Sequence, residues 1–225
     1  MISNGNGLPI RSEYREKLAR LREMVLEMAT FVDGMLSRGM EALQQNNSDL
    51  AEEVRLSDDV SDALNYGIEE LAINLLALQQ PMARDLREIT AAIRIATDLE
   101  RIGDYSKDIA KVARRLRGEP LYWPLEDIPE MARLVATMLR KAISAFVDRD
   151  VEAARGLADD DEAVDVIFKR VTEQLMDHMR EDPRYVFQAT HLLFVARYLE
   201  RIGDHTVNVG ERVVYMETGR LTPEG

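Results

Sequence analysis

A six-residue segment that occurs twice, 100 residues apart, constrains this chain of 225 residues more than any other feature. Residues 99–104 read Leu-Glu-Arg-Ile-Gly-Asp, and the same letters return at residues 199–204. Each copy follows a proline, at Pro81 and at Pro183. A repeat of this kind, placed in the same way in both halves, indicates that the second half duplicates the first and that each half forms one structural unit.

The apolar residues of both halves keep the spacing of α-helices. One face of the first predicted helix carries Leu18, Leu21, Val25, Met28, Val32 and Leu36 at steps of three and four. No competing strand pattern is present, so the sequence predicts an all-α protein of two tandem three-helix bundles with six long helices. We expect the first bundle at 12–118, opening at a cap on Ser12, a linker at 119–126, and the second bundle at 127–219.

Charge and composition exclude several classes of function. The chain has 29 Lys and Arg against 41 Asp and Glu, a net charge of −12, which argues against a nucleic-acid partner because duplex binding relies on neutralising phosphates. The absence of cysteine excludes disulfides, thiolate metal sites and thiol catalysis. The first twelve residues lack the apolar core of a signal peptide, and the longest apolar stretch, 71–78, is far below the ~20 residues that span a bilayer. We therefore expect a cytoplasmic protein.

Acidic side chains recur at helical spacing beside each repeated segment. Glu100 and Asp104 are four residues apart, and residues at this spacing are neighbours on a helix. Asp62 lies 19 residues before Pro81, and Glu100 lies 19 residues after it. Asp58 and Asp104 each lie 23 residues from the same proline, on opposite sides of it. If the second and third helices fold back on each other at this proline, these acids stand at equal heights.

The second half shows nearly the same arrangement around its own turn. Asp165 and Glu200 flank Pro183 at sequence distances that differ by a single position, and so do Asp161 and Asp204. Four carboxylates that converge without a Lys or Arg in the row are typical of sites for hard cations such as Mg, Mn, Ca or Fe. The plain alternative is that these acids belong to solvated faces of amphipathic helices.

These segments are similar to those of the PhoU family. The resemblance rests on residues 76–87, Leu-Ala-Leu-Gln-Gln-Pro-Met-Ala-Arg-Asp-Leu-Arg, on residues 91–104, and on residues 198–204 with His205, Asn208 and Gly210. It covers nearly the whole chain. It implies two tandem three-helix bundles and a non-catalytic regulator of phosphate uptake. Such a regulator would couple a phosphate-specific ABC transporter to a sensor histidine kinase and would repress the phosphate-starvation response when phosphate is plentiful.

The resemblance also implies a cofactor, because family members carry acidic motifs that hold multinuclear metal clusters, iron in some members and other metals elsewhere. We expect a divalent or trivalent metal, with iron clusters or Mg, Mn, Zn or Ni as candidates. The implied ligands are Asp58, Asp62, Glu100, Asp104, Asp161, Asp165, Glu200 and Asp204. Expected partners are the cytoplasmic side of the transporter and the kinase, and unclaimed apolar positions on long helices predict a homodimer.

The two halves are not identical next to the repeated segment. Asp108 of the first half corresponds to Asn208 of the second, and Tyr105 corresponds to His205. These differences predict that the two metal sites differ in nuclearity or affinity.

Three other functions compete with this hypothesis. A di-iron carboxylate enzyme normally needs two Glu-x-x-His motifs, and Leu175, Gln188 and Ile202 stand three residues before the three histidines instead. A metal-free helical scaffold predicts no stoichiometric metal. Direct binding of phosphate is the third, and the sequence shows no glycine-rich phosphate cradle for it.

Overall fold

The computed structural model describes residues 7–78, 81–118 and 126–220, and all regular structure in these ranges is helical. The helices are α1 (Gly7–Gln44), α2 (Ser48–Leu56), α3 (Asp58–Leu78), α4 (Ala83–Arg115), α5 (Asp127–Asp148), α6 (Val151–Glu181) and α7 (Val186–Thr218). A 3₁₀ turn at Pro183–Tyr185 separates α6 from α7. The predicted fold class is confirmed: α1 to α4 form the first bundle and α5 to α7 form the second.

Two helix boundaries differ from the prediction. Helix α1 begins at Gly7, so Ser12 lies inside the helix instead of capping its start. The second predicted helix is divided at Ser57 into α2 and α3. The Ser57 hydroxyl donates to the carbonyl oxygen of Val54 at 2.7 Å, a local bond that competes with the regular helical pattern. Of the predicted linker 119–126, residues 119–125 lie outside the described residues.

Side-chain caps fix where the second helix of each bundle begins. The Asn47 side chain accepts hydrogen bonds from two backbone N–H groups of α2, and the Asp150 side chain does the same for α6. The residue just before each cap leaves the preceding helix with a positive φ, 51° at Asn46 and 58° at Arg149. The chain therefore reverses sharply at equivalent points of both bundles.

The apolar side chains of each repeated segment lie in the core, and the acidic side chains lie outside it. Leu99 and Ile102 of α4 are fully buried, as are Leu199 and Ile202 of α7. Burial of these side chains fixes the rotation of each helix about its own axis, because the apolar face turns toward the core. The glutamate and aspartate of each segment consequently face the neighbouring helix of the same bundle.

Helices α4 and α7 pack more extensively on each other than any other pair, and their contacts join the two bundles. His205 Nδ1 lies 2.9 Å from Asp98 Oδ1. The repeat equivalents of these residues, Tyr105 and Tyr198, stack with ring centroids 5.9 Å apart. The two helices therefore run antiparallel about a local two-fold axis, and the repeated segments lie side by side near that axis. No helix in the described ranges is long and apolar enough to cross a membrane.

Candidate metal-binding site

In each bundle, the four predicted acids lie on the last two helices. We call Asp58, Asp62, Glu100 and Asp104 the first acidic cluster, carried by α3 and α4. We call Asp161, Asp165, Glu200 and Asp204 the second acidic cluster, carried by α6 and α7.

The members of the first acidic cluster interact electrostatically through Glu100. Burial raises the pKa of this glutamate, and the charge of Asp104 raises it further. Asp62 and Asp58 act on the pKa of Glu100 in the same direction but less strongly. Because like charges in close proximity favour protonation, the contributions of these three aspartates to the pKa of Glu100 place the four carboxylates in one region.

A lysine bridges two acids of the first acidic cluster. Lys107 Nζ donates to Asp104 Oδ1 at 2.8 Å and also to Asp58 Oδ2. Burial opposes protonation of Lys107, but the hydrogen bonds to Asp104 and Asp58 outweigh it and raise the pKa of the amine. The expectation of a row without Lys or Arg is therefore wrong for this cluster.

The remaining contacts of the first acidic cluster are at the surface. Arg101 lies 3.2 Å from Asp104 Oδ2 and 3.4 Å from Glu100 Oε2, and half of its side chain is exposed. Asp62 is exposed and makes no hydrogen bond or ion pair within the described ranges. Asp62 is thus the least engaged of the four acids.

In the second acidic cluster, two of the four acids lack a cationic partner among the described residues. Burial, followed by the charges of Asp204, Asp165 and Glu200, raises the pKa of Asp161 to about 6. Burial and then Asp204 also raise the pKa of Glu200. In the part of the chain that the structure describes, neither Asp161 nor Asp165 has a cationic partner.

Two arginines hold the outer edge of the second acidic cluster. Arg197 donates to Glu200 Oε1, and Arg201 donates to Asp204 Oδ2 at 2.6 Å. The other carboxylate oxygen of Glu200, Oε2, is buried and without a hydrogen-bond partner. A buried carboxylate oxygen without a donor is costly, so this position favours a cationic ligand.

The glycine of each repeated segment marks the register between the two helices. A Cβ built on Gly203 would meet Asp161 Oδ1, and a Cβ built on Gly103 would lie 3.0 Å from Ser61 Oγ. Ser61 is therefore the structural equivalent of Asp161 in the first bundle. Its hydroxyl is buried without a partner, and sequence reasoning did not identify it as part of the site.

Carboxylates from two helices suit a hard cation chemically, but the present side-chain positions are those of ion pairs. Among the described residues, no three His, Asp or Glu side chains are placed to hold a metal ion as they stand. Metal binding requires Lys107 and Arg101 to release the acids of the first acidic cluster, and Arg197 and Arg201 to release those of the second. The second cluster fits a cation better because two of its four acids have no cation to release.

His205, next to Asp204 in the sequence, points away from the second acidic cluster. Its ring contacts Asp98 across the interface between the bundles and lies 5.8 Å from the Tyr105 ring. Asn208 Nδ2 approaches the same Asp98 oxygen at 3.4 Å. The sequence differences at these two positions therefore change the contact between bundles, and His205 supports packing there.

The fold and the two clusters together define a class: duplicated three-helix-bundle proteins with one group of carboxylates per bundle. The family model described as the PhoU domain matches this chain twice, at residues 25–113 and 128–213. The chain belongs to the PhoU family, as its motifs predicted.

Similar proteins cover nearly the whole chain. The phosphate-specific transport system accessory protein PhoU homolog of Clostridium acetobutylicum is 38% identical over 211 residues, 93% of this chain and 96% of that protein. The protein of the same name from Rhizobium meliloti is 37% identical over 96% of this chain and 91% of its own length.

A solved structure shows the same architecture. The crystal structure of PhoU from Pseudomonas aeruginosa has a TM-score of 0.88 at 32% identity, and the match covers 92% of this chain and 100% of that one. The crystal structure of the phosphate transport system regulatory protein PhoU from Streptococcus pneumoniae has a TM-score of 0.86 at 28% identity, with 93% and 99% covered.

Proposed function

We propose that this protein regulates phosphate uptake by coupling a phosphate-specific ABC transporter to a sensor histidine kinase, and that it represses the phosphate-starvation response when phosphate is plentiful. The observation that carries the proposal is the match of both bundles to the PhoU domain. Relatives that span nearly the whole chain are named as accessory proteins of the phosphate-specific transport system. The protein acts without catalysis, through its helical surfaces.

The proposed place of action is the cytoplasm, at the inner side of the transporter, with a homodimer as the active form. The net charge of −12 supports protein partners over nucleic acid. The test is a phosphate-starvation reporter in cells that lack the gene. A plasmid copy of this chain should lower reporter output in high phosphate, and a tagged copy should capture the transporter and the kinase. Reporter output unaffected by the plasmid copy would overturn the regulatory role.

We further propose that the second acidic cluster is the principal metal site and that the first binds more weakly. Asp161 and Asp165 from α6 and Glu200 and Asp204 from α7 would hold the cation. The bound metal would supply positive charge, which removes the mutual repulsion of these carboxylates and links the two helices. The raised pKa of Asp161 and the unpartnered Glu200 Oε2 support this proposal.

The metal proposal is tested by replacing one glutamate in each cluster. The double variant Glu100→Gln/Glu200→Gln should lose most of its bound metal, measured by elemental analysis of protein purified without chelator. Its helicity by circular dichroism should stay unchanged, since both side chains lie outside the core. The matched control is Glu69→Gln/Glu70→Gln, two exposed glutamates of α3. Equal metal content in the two double variants would remove the site assignment.

A metal-free helical scaffold is the second candidate, and one observation favours it. Lys107, Arg101, Arg197 and Arg201 already pair with acids of the two clusters. These pairs neutralise part of the negative charge without a metal. The scaffold predicts no stoichiometric metal in the unsubstituted protein, so the same elemental analysis separates the two functions.

A further inference from the structure

A basic cavity lies between α2 and the C-terminal end of α4. Its volume is about 560 Å³, and its described lining consists of Ser48, Arg55, Lys111, Arg114, Arg115 and Arg117. This lining includes no carboxylate, although acids outnumber bases by twelve in the whole chain. None of the eight acids of the two clusters takes part, so the cavity is a separate feature of the molecule.

The concentration of positive charge in the basic cavity costs stability. Lys111 and Arg115 are four residues apart on α4, and like charges at this spacing destabilise a helix. The negative end of the α4 dipole compensates part of this repulsion, because Arg114 and Arg115 lie in the last turn. Arg55 lies in the last turn of α2, where the dipole of that helix likewise favours a cation, and Arg117 lies beyond the end of α4.

Glu52 holds two of the arginines in place from outside the lining. It accepts from Arg55 Nε at 3.0 Å and from Arg55 Nη2 at 2.7 Å. The same carboxylate lies 2.6 Å from Arg114 Nη1. One carboxylate thus orients two guanidinium groups while it neutralises only one charge, and the site is preorganised for an anion.

The other cations of the basic cavity are less compensated. Lys111 Nζ donates to Asp108 at 2.7 Å. Arg115 and Arg117 are exposed and make no ion pair within residues 7–78, 81–118 and 126–220. Asp59 also acts on Arg55 by its charge. Among the described residues, the five bases of the lining form ion pairs with only two carboxylates, Glu52 and Asp108.

The chemistry of the lining selects a class of ligand. Arginine presents donors in a planar fork that matches phosphate oxygens, and four of the five bases are arginines. The volume is in the range of small-molecule sites, about 300–1,000 Å³. The described lining has no aromatic side chain on which a nucleobase could stack, and one inorganic phosphate leaves part of the charge unmatched. We propose that the basic cavity binds a soluble ligand that carries several phosphate groups in succession.

The first test compares phosphate ligands of different length by isothermal titration calorimetry on the full chain. Tripolyphosphate should bind at least ten times more tightly than inorganic phosphate, because it engages more of the bases at once. The affinity should fall steeply as salt concentration rises. Equal affinity for the two probes, or no binding of tripolyphosphate, would overturn the proposal.

The second test locates the binding. Arg115→Gln/Arg117→Gln should weaken tripolyphosphate binding at least tenfold, and both side chains are exposed, so the fold should be retained by circular dichroism. Arg117→Gln alone, beyond the end of α4, should weaken binding about threefold.

The matched control Arg94→Gln/Arg133→Gln removes the same charge from two exposed arginines elsewhere and should bind like the unsubstituted protein. Equal weakening in the control would show diffuse attraction and contradict the site. Unaltered binding in Arg115→Gln/Arg117→Gln would assign the phosphate to another place, such as a metal in the acidic clusters, and would also overturn the proposal.

A third arm separates soluble phosphates from lipid headgroups. Vesicles of phosphatidylglycerol mixed with phosphatidylcholine should not carry the protein to the top of a flotation gradient. Flotation that Arg115→Gln/Arg117→Gln abolishes, without tripolyphosphate binding in solution, would identify a membrane surface as the ligand and overturn the proposal of a soluble one.

Discussion

Lys107 and Val207 occupy the same position of the repeat, three residues after the aspartate of the shared segment, and only Lys107 places a charge among carboxylates. Lys107 donates to Asp104 and to Asp58. Val207 is partly buried against the apolar core. This single difference neutralises one acidic cluster from within and leaves the other to its two peripheral arginines.

Exchanging these residues should redistribute metal between the bundles. Lys107→Val removes the internal cation, so the first acidic cluster should bind metal at least ten times more tightly. Val207→Lys should weaken the second cluster by a similar factor, because the lysine stem can lie along the surface while its amine reaches the acids. Elemental analysis after dialysis against graded metal concentrations measures both effects. Unchanged metal content in both variants would show that Lys107 does not compete with a cation.

The close approach of α7 to α6 should make Gly210 intolerant of a larger residue. A Cβ at this position would lie 2.8 Å from the carbonyl oxygen of Ala154 and 2.6 Å from Leu157 Cδ1. Backbone atoms cannot move aside as a flexible side chain does, so Gly210→Ala should lower the free energy of unfolding by about 2–4 kcal/mol.

Gly34 provides the control for this prediction. It lies within α1, and a Cβ there would meet nothing within 4 Å. Gly34→Ala should therefore be neutral or stabilising by up to about 1 kcal/mol, since alanine favours helix. Urea denaturation of both variants gives the comparison. Equal effects at the two positions would show that helix packing does not restrict Gly210.

The fold could be predicted because local pattern and global repeat agree. Leu21, Val25 and Met28 lie inside the core, as their helical spacing indicated. The residues that face each other across two helices were less predictable. Their positions along the helices were counted from Pro81 and Pro183, and these two prolines do not occupy equivalent positions of the repeat. The count made Asp58 the equivalent of Asp161, whereas the structure places Ser61 there.

The grouping of the eight acids into two clusters could be predicted, but the partners of these acids could not. Lys107 follows Asp104 by three residues, a spacing that was visible in the sequence. Its reach across to Asp58 depends on the rotation of α4 and on the side-chain rotamer. Contacts of long side chains between helices are set by packing, which a single sequence does not specify.

An ion-pair network around one buried carboxylate should contribute to holding the bundles together. Glu88 of α4 is 2% exposed and accepts from Arg22 of α1 and, at 2.5 Å, from Arg149 between α5 and α6. Arg149 also contacts Glu217 near the end of α7 at 2.5 Å. The equivalent of Glu88 in the second bundle is Gln188, which is buried without a charge.

Glu88→Gln should destabilise the protein by about 1–3 kcal/mol, because Arg22 loses the charge of Glu88 and Arg149 is left with Glu217. Glu27→Gln is the control, since Glu27 pairs with Arg20 at the surface and its loss should cost less than about 0.5 kcal/mol. Midpoints of urea denaturation measure both variants. A cost for Glu88→Gln as small as that of the control would show that the network is dispensable.

The second acidic cluster should make stability depend on pH through Asp161. Its pKa is about 6 in the folded protein, above the ordinary value of 3.8. Between these values the folded state holds a proton that the unfolded state has released, so the contribution of Asp161 to stability is complete below about pH 3.8 and is lost as pH rises through about 6.

In the presence of chelator, Asp161→Asn should therefore raise the free energy of unfolding at pH 7.5 by about 1–2 kcal/mol, because it removes one of four mutually repelling charges. At pH 5 the gain should fall to about half, because the folded state then holds a proton that the unfolded state has released, and below about pH 3.8 it should approach zero. The control is Asp159→Asn, an exposed residue of α6, which should show no such dependence. Thermal denaturation at the two pH values supplies the measurement, and a gain of equal size at both would contradict the repulsion that defines the site.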